Sequence, residues 1–440
     1  MTKISGFPEW LPECRMIEQK FLDTLRSTFE LHGFSGIETR AVEPVSQLLS
    51  KGETSKEIYL LSRLQEAGSG REAQLGLHFD LTVPLARYVL ENAGKLDFPF
   101  RRYQIQKVWR GERPQEGRFR EFVQADVDVV GRDSLAFHHE TELPLVMVDA
   151  LSKLPIPRVV IHASNRKVAQ GFYEALGLED IEETLRIMDK LDKIGPEAVK
   201  QLLRERVGAD ESRAEAALRL AEISAPDASF ADRVLALGLR SPLLDEGLEE
   251  LVNLVERANA LIPGAMVADL KIARGLDYYT GSVYESVLEG HEDLGSVCSG
   301  GRYDSLVSDG KQTFPGVGLS IGVSRILARI IGQGKVVPSR RVPAAVLVAV
   351  NDEKERFHAE STAMRLRRRG IPTEVCPNSA KFGKQIKYAD KRGIPYVWFT
   401  TDEGEQVKDI RSGVQENADP QTWMPLPADL HVEFSADTAV

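Results

Sequence analysis

Arg110, Arg113, Arg118 and Arg120 crowd a segment broken by Pro114 and Gly117, and Gln124, Asp126 and Asp128 follow at every second position. A guanidinium stays charged and offers a planar fork of donors that grips phosphate or carboxylate oxygens in pairs. An ionised carboxylate only accepts, so it selects N–H groups. Together they fit an anion held by arginines beside a second ligand whose donors the acids would hold. They fit equally a solvated hairpin tip and a strand with one face in water, which gives the same alternation. The chain carries a formal charge of -10, so these arginines are not part of a general basic coat.

If the anion is a phosphate, arginine side chains must supply the donors. No Gly-x-x-x-x-Gly-Lys-[Ser/Thr] occurs in the chain. The run Gly316-x-Gly318-x-x-x-Gly322 has neither the spacing nor the setting of a dinucleotide fingerprint.

The elements that must position these residues can be read from periodicity. At 440 residues the chain exceeds one ordinary core, so two or three domains are expected. Ile17, Phe21, Leu25 and Phe29 recur every fourth residue, an amphipathic helix ending near Gly33. Leu75 to Thr82 alternates apolar and polar residues, predicting a half-buried strand, with Pro84 opening the next helix. Residues 102–110 and 120–130 predict an antiparallel hairpin with a long charged tip. Between about Gly171 and Pro263 the composition turns to helix formers. Strand signals return at Val283 and run to Gly322; after Pro338 and Pro343, alternating strands and helices predict a small, mostly parallel α/β domain. No apolar run is long enough to span a bilayer, the N-terminus lacks a signal-peptide layout, and Cys14, Cys298 and Cys376 are too scattered for a disulfide framework or a zinc site. No membrane partner and no protein-bound metal are therefore expected, and a reducing compartment, the cytoplasm, is.

Several segments resemble known signatures. Trp109-Arg-Gly-Glu112 followed by Arg120-Glu-Phe-Val-Gln124 resembles the second motif of class II aminoacyl-tRNA synthetases, and Gly316 to Arg325 resembles the third. Gly33 to Glu43 resembles the first, dimer-forming motif, with Arg40 where its proline is expected. Ala273-Arg-Gly-Leu-Asp-Tyr-Tyr-Thr-Gly281 and Ser299-Gly-Gly-Arg-Tyr-Asp304 are similar to two signatures of the histidyl-tRNA synthetases. The resemblance implies an α+β fold: a catalytic core on an antiparallel sheet (1–171 and 264–335), interrupted by a helical insertion (172–263), with an α/β anticodon-binding domain at 343–440. It also implies a homodimer.

The implied chemistry is activation of L-histidine by ATP with Mg²⁺, then transfer to the 3′ end of tRNA(His). By resemblance, Arg110 and Arg274 are catalytic, and Arg110, Glu112, Arg118, Arg120, Phe122 and Arg325 bind ATP. Asp80 and Thr82 hold the α-amino group and Gln124 lies near the carboxylate. Arg274 touches the carboxylate, and Asp128 and Tyr279 read the imidazole nitrogens. Tyr278 belongs to the same signature and also fits a core aromatic. Lys381, Lys384, Lys387 and Lys391, with Arg367, Arg368 and Arg369, imply a face for RNA, although a solvated helix gives the same run. A rival from another class is a non-catalytic, histidine-sensing paralogue that regulates the first enzyme of histidine biosynthesis. Such paralogues tend to lose the catalytic arginines and the C-terminal domain, which are present here. An RNA-binding module without catalysis leaves the arginines and acids unexplained.

Overall fold

A computed structural model describes residues 4–49, 57–66, 72–272, 279–308, 310–401 and 404–436. The chain forms two compact units, Met1–Pro8 with Phe21–Arg329 and Glu9–Lys20 with Ile330–Val440.

Among the described residues the first unit is built on a nine-stranded sheet. In chain order its strands are β1 (Ser35–Gly36), β2 (Phe100–Trp109), β3 (Glu121–Val130), β4 (Val159–Asn165), β5 (Ser224–Ala225), β6 (Met266–Asp269), β7 (Ser282–Leu288), β8 (Cys298–Tyr303) and β9 (Gly316–Gly322). Their spatial order is β1-β2-β3-β9-β8-β7-β4-β6-β5. Neighbours run antiparallel except β1 with β2 and β4 with β6.

Register explains how the polar residues meet. Arg102, Gln104 and Gln106 of β2 lie opposite Asp128, Asp126 and Gln124 of β3. Those three lie opposite Gly318, Ser320 and Gly322 of β9. Residues directly opposite across a sheet share a face, so one face is polar along three strands. On the other, Val123, Ala125, Val127 and Val129 join Val317, Leu319 and Ile321, all buried. Each large aliphatic side chain buried there contributes about 1.5–3 kcal/mol.

The helices that bear on this sheet are α1 (Pro12–Leu31), α2 (Thr82–Asn92), α3 (His138–Ser152) and α4 (Val323–Gly332). In α1, Phe21, Leu25 and Phe29 are buried, as their period predicts, and the Phe29 ring lies 5.7 Å from that of Tyr103 on β2. Leu143, Val146, Met147 and Ala150 of α3 are buried, and this helix packs on β3, β4 and β9. Ser324 in the first turn of α4 accepts a hydrogen bond from the Val123 amide at 2.9 Å.

Two expectations need correction. The strand at 75–82 ends at Leu77, and Thr82 instead opens α2. The Asp80 carboxylate accepts from the Val83 amide at 3.0 Å, and Pro84 suits a first helical turn, so local hydrogen bonding wins over alternation. Secondly, the helical stretch is not purely helical. Helices such as Ile181–Met188, Pro196–Val207 and Pro242–Leu261 are there, but β5 pairs with β6 and extends the same sheet.

The second unit holds a five-stranded sheet among its described residues. Val346–Val348 lies parallel to both Thr373–Val375 and Tyr396–Thr401, with helices Arg356–Arg368 and Phe382–Arg392 between them in sequence. Gly404–Asp409 and Gln415–Asn417 add antiparallel strands that alternation of strand and helix did not predict. The expected linker also carries a strand, Val336–Pro338, paired with Phe434–Ala436.

Glycine has a steric purpose on β9. A Cβ at Gly318 would lie 2.0 Å from Asp128 Oδ1, and one at Gly316 would lie 2.4 Å from the Tyr303 ring. Their absence lets both side chains lie across the strand. Gly318→Ala should cost about 1–3 kcal/mol of stability by overpacking, whereas Gly94→Ala, with nothing within 4 Å, should leave it nearly unchanged. Denaturant unfolding of the two variants checks this; equal midpoints would contradict the close approach.

Candidate active site

Two adjoining cavities open on the polar face of the sheet. The outer one, of about 130 Å³, is lined by Arg110, Glu112, Arg118, Phe122, Gln124 and Arg325, with Ser296, Ser299 and Ser320. The inner one is lined by Thr82, Asp126, Asp128, Tyr279, Tyr303 and Ser320, with Ser299 again at the boundary. Ser299 and Ser320 thus belong to both.

In the outer cavity the hairpin holds its arginines by backbone contacts. Arg110 donates from Nε to the Phe79 carbonyl at 2.9 Å, and its guanidinium lies 5.2 Å from the centre of the Phe122 ring. A ring beside a fixed cation offers a flat apolar face on which a base can stack. Gln115 and Arg118 exchange backbone hydrogen bonds at 3.1 and 3.0 Å around Glu116 and Gly117, which closes the tip. Gly117 has φ 69°, the left-handed conformation that this turn needs. Arg325 on α4 donates to the Ser296 carbonyl at 2.5 Å and more weakly to that of Gly117 at 3.4 Å.

Arg120 is not brought to either cavity. Its Nε donates to the Glu112 carbonyl at 3.1 Å, and its backbone amide donates to the Gly6 carbonyl at 2.7 Å. The side chain braces the base of the hairpin. Arg274 and Tyr278 lie outside the described residues.

The inner cavity is organised by an ion pair that the sequence reading did not pick out. Arg102 is fully buried, and its Nη2 lies 2.7 Å from Asp128 Oδ2. Tyr303 donates its hydroxyl to Asp128 Oδ1 at 2.9 Å. Asp128 therefore does not stand free to meet a ligand, as the alternation implied; each oxygen already has a partner. A carboxylate has about four lone-pair positions, more than these two partners fill. Arg102 had a signal of its own, since it shares with Gln104 and Gln106 the same period of two. Tyr279 lines the cavity from the side and also packs against the cluster of Leu85, Val130, Tyr303 and Phe314.

Asp126 is also buried, and its carboxylate is bonded to Ser320 Oγ, which in turn accepts from Gln124 Nε2 at 2.7 Å. Burial pushes Asp126 up to about 7, against the pull of Arg102; Asp128 and Asp80 raise it further, and Ser320 lowers it. Gln124 Oε1 is buried with no partner among the described residues. Buried His78 sits with Nε2 2.7 Å from the Lys107 carbonyl, so that nitrogen carries the proton; burial holds its pKa below the ordinary value.

The chain has relatives among known proteins. Residues 6–326 match the Histidyl-tRNA synthetase family model, and residues 344–420 match the Anticodon binding domain model. The chain belongs to the histidyl-tRNA synthetase family. It is 57% identical to the histidine–tRNA ligase of Micrococcus luteus over 98% of this chain and 97% of the relative. A crystal structure of histidyl-tRNA synthetase from Nostoc sp. PCC 7120 shares 35% of residues, with a TM-score of 0.84, over 94% of this chain and 96% of that one. A structure described as an ATP phosphoribosyltransferase regulatory subunit/histidyl-tRNA synthetase from Bacillus halodurans superposes with a TM-score of 0.72 over 88% of this chain and 96% of that one. At 18% identity that likeness speaks to the fold alone. The high-identity, nearly full-length relatives make this chain an ATP-using aminoacyl-tRNA ligase and not the regulatory paralogue. Among the described residues, no helix is long and apolar enough to cross a membrane.

The raised Asp126 carboxyl has a consequence for folding. The folded state keeps a proton that the unfolded chain releases in the ordinary carboxylate range, so this group's contribution to stability is present in acid. It is lost as pH rises through about 7. Asp126→Asn removes that loss, so its stability relative to the natural protein should climb by on the order of a few kcal/mol between pH 5 and pH 8. Urea unfolding across that range measures it; a difference that does not change with pH would contradict the assignment.

Proposed function

We propose that the outer cavity takes ATP, the inner one takes L-histidine, and the two react across Ser299 and Ser320 to give histidyl-adenylate and pyrophosphate. The observation that carries this reading is the shared boundary of an arginine-lined and an acid-lined cavity on one sheet face. Adenine would stack on Phe122 with Glu112 beside it, while Arg110 meets the α-phosphate and Arg118 and Arg325 meet the distal phosphates. Asp128, steadied by Arg102 and Tyr303, would accept from one imidazole N–H, and Tyr279 would meet the other ring nitrogen. Thr82, Asp80 and the unpartnered oxygen of Gln124 suit the α-ammonium group.

The reaction needs no general base, because the attacking carboxylate is ionised at neutral pH. It needs alignment, which fixed side chains on a rigid sheet supply, and donors aimed at the charge that builds on the α-phosphate. Arg110 and Arg274 are the residues for that task. Mg²⁺ would arrive with ATP. Among the described residues no three His, Cys, Asp or Glu side chains converge to hold a metal, and Mg²⁺ commonly keeps phosphate and water ligands.

The second unit is proposed to bind the anticodon region of tRNA(His). Lys381, Lys384, Lys387 and Lys391 are exposed along helix Phe382–Arg392 and suit phosphates. Arg367 and Arg369 are spent internally, on the carbonyls of Thr373 and of Pro420, Thr422 and Trp423. The domain limits, cytoplasmic location and homodimer implied by resemblance belong to the same proposal. On the dimer segment, Arg40 and Arg87 both reach the buried Glu43 carboxylate at 2.9 Å, so Arg40 neutralises a charge where a proline would supply rigidity.

Histidine-dependent exchange of pyrophosphate into ATP tests the reading. The natural protein should catalyse it, and Arg274→Ala should slow it by about 10²–10³-fold with ATP binding retained. Near-normal adenylate formation by that variant would remove Arg274 from the catalytic set.

A further inference from the structure

Asp126, Ser320 and Gln124 form a hydrogen-bonded chain that runs from the inner cavity to the outer one. Ser320 sits directly opposite Asp126 in the register of β3 and β9, and Gln124 is the next residue along the same face. Asp126 lines the inner cavity, Gln124 the outer one, and Ser320 both. The serine has a single proton to give. With Asp126 ionised, that proton must go to the carboxylate. Ser320 Oγ then accepts from Gln124 Nε2, as seen at 2.7 Å, and the amide oxygen is left as an acceptor with no partner among the described residues. With Asp126 protonated, its O–H can donate to Ser320, the serine can donate to Gln124, and the amide can turn to present its N–H₂ group. The only covalent bond that changes is the Asp126 O–H, made with a proton taken from solvent and broken when that proton returns to it.

We propose that Asp126 is a positioning residue for amino-acid binding: its charge, passed through Ser320, sets which end of the Gln124 amide meets the substrate. The proposal rests on the reading of the inner cavity as the histidine site. An oxygen facing inward favours the α-ammonium group, and an N–H₂ group repels it. The buried, unpartnered Gln124 Oε1 marks the acceptor state. The charged and titratable groups around Asp126 are Arg102 from β2, Asp128 from β3 itself, Asp80 from the turn before α2 and Cys298 from β8. Burial brings the carboxyl's proton within reach near neutral pH. Gln104, directly opposite on β2, is held away by Thr39 and Gln106, at 2.9 and 2.6 Å.

The test is the pH dependence of the histidine KM in pyrophosphate exchange, measured from pH 6 to pH 8.5 with the ATP KM and kcat recorded separately. Titration of free histidine affects every enzyme form alike and cancels in the comparison. The natural enzyme should gain roughly tenfold in histidine KM (weaker binding) on going to the acid side relative to either variant. Asp126→Asn, whose amide can donate to Ser320 like the protonated acid, should be held at the weak-binding limit with no such slope. Ser320→Ala keeps the aspartate but cuts the chain, so it too should lose the slope; it carries the test should Asp126→Asn fail to fold. A natural-type slope in a folded Asp126→Asn or in Ser320→Ala overturns the relay. Absence of histidine-dependent exchange in the natural protein would instead overturn the reading of the cavity.

Discussion

The buried pair of Arg102 and Asp128 is the constraint on which the inner cavity depends. Taking both charges out of water costs several kcal/mol each, which only close geometry and further hydrogen bonds can offset. Here Arg102 Nη2 sits 2.7 Å from the carboxylate, and Tyr303 adds a hydroxyl donor at 2.9 Å. That close fit requires β2, β3 and β9 to keep their register, and it requires glycine at 318, where a side chain would meet the carboxylate. A one-residue slip would send Arg102 and Asp128 to the apolar face. The buried ion pair and the sheet register are thus the same constraint seen twice.

The two cavities differ in charge. Arginines on a hairpin closed by its own backbone bonds line the outer one, and acids on the sheet line the inner one. A polar ring held by donors and acceptors can be told from analogues lacking them by about 10⁴-fold or more, because the site's own groups are otherwise left unpaired. Arg120 has a place within the hairpin itself. Its bond to the Glu112 carbonyl holds the loop base, and the neighbouring backbone amide is tied to Gly6.

Much of this was legible in the sequence because it is written in local periodicity. The alternation of Gln124, Asp126 and Asp128 gave β3 and its polar face, and the charged Pro/Gly stretch gave the hairpin tip. What could not be read depends on pairings across the chain. Tyr303 meets Asp128, and Ser320 meets Asp126, across 175 and 194 positions respectively. Asp80 and Thr82 misled for a different reason. Alternation continued past Leu77, but a side-chain bond from Asp80 to the Val83 amide turned the segment into a helix start. In the second unit, the antiparallel strands Gly404–Asp409 and Gln415–Asn417 are short and polar and left no apolar pattern to find.

The most direct measurement is the pair of equilibrium constants for histidine and for ATP, determined separately on Asp128→Asn. The amide keeps an oxygen for Tyr303 but loses the charge that pairs with Arg102, and it can turn a donor toward the ring. The expected result is histidine binding weakened by at least about tenfold with ATP binding unchanged. An unchanged histidine constant in a folded variant would contradict the placement of the amino-acid site on the Arg102–Asp128 pair.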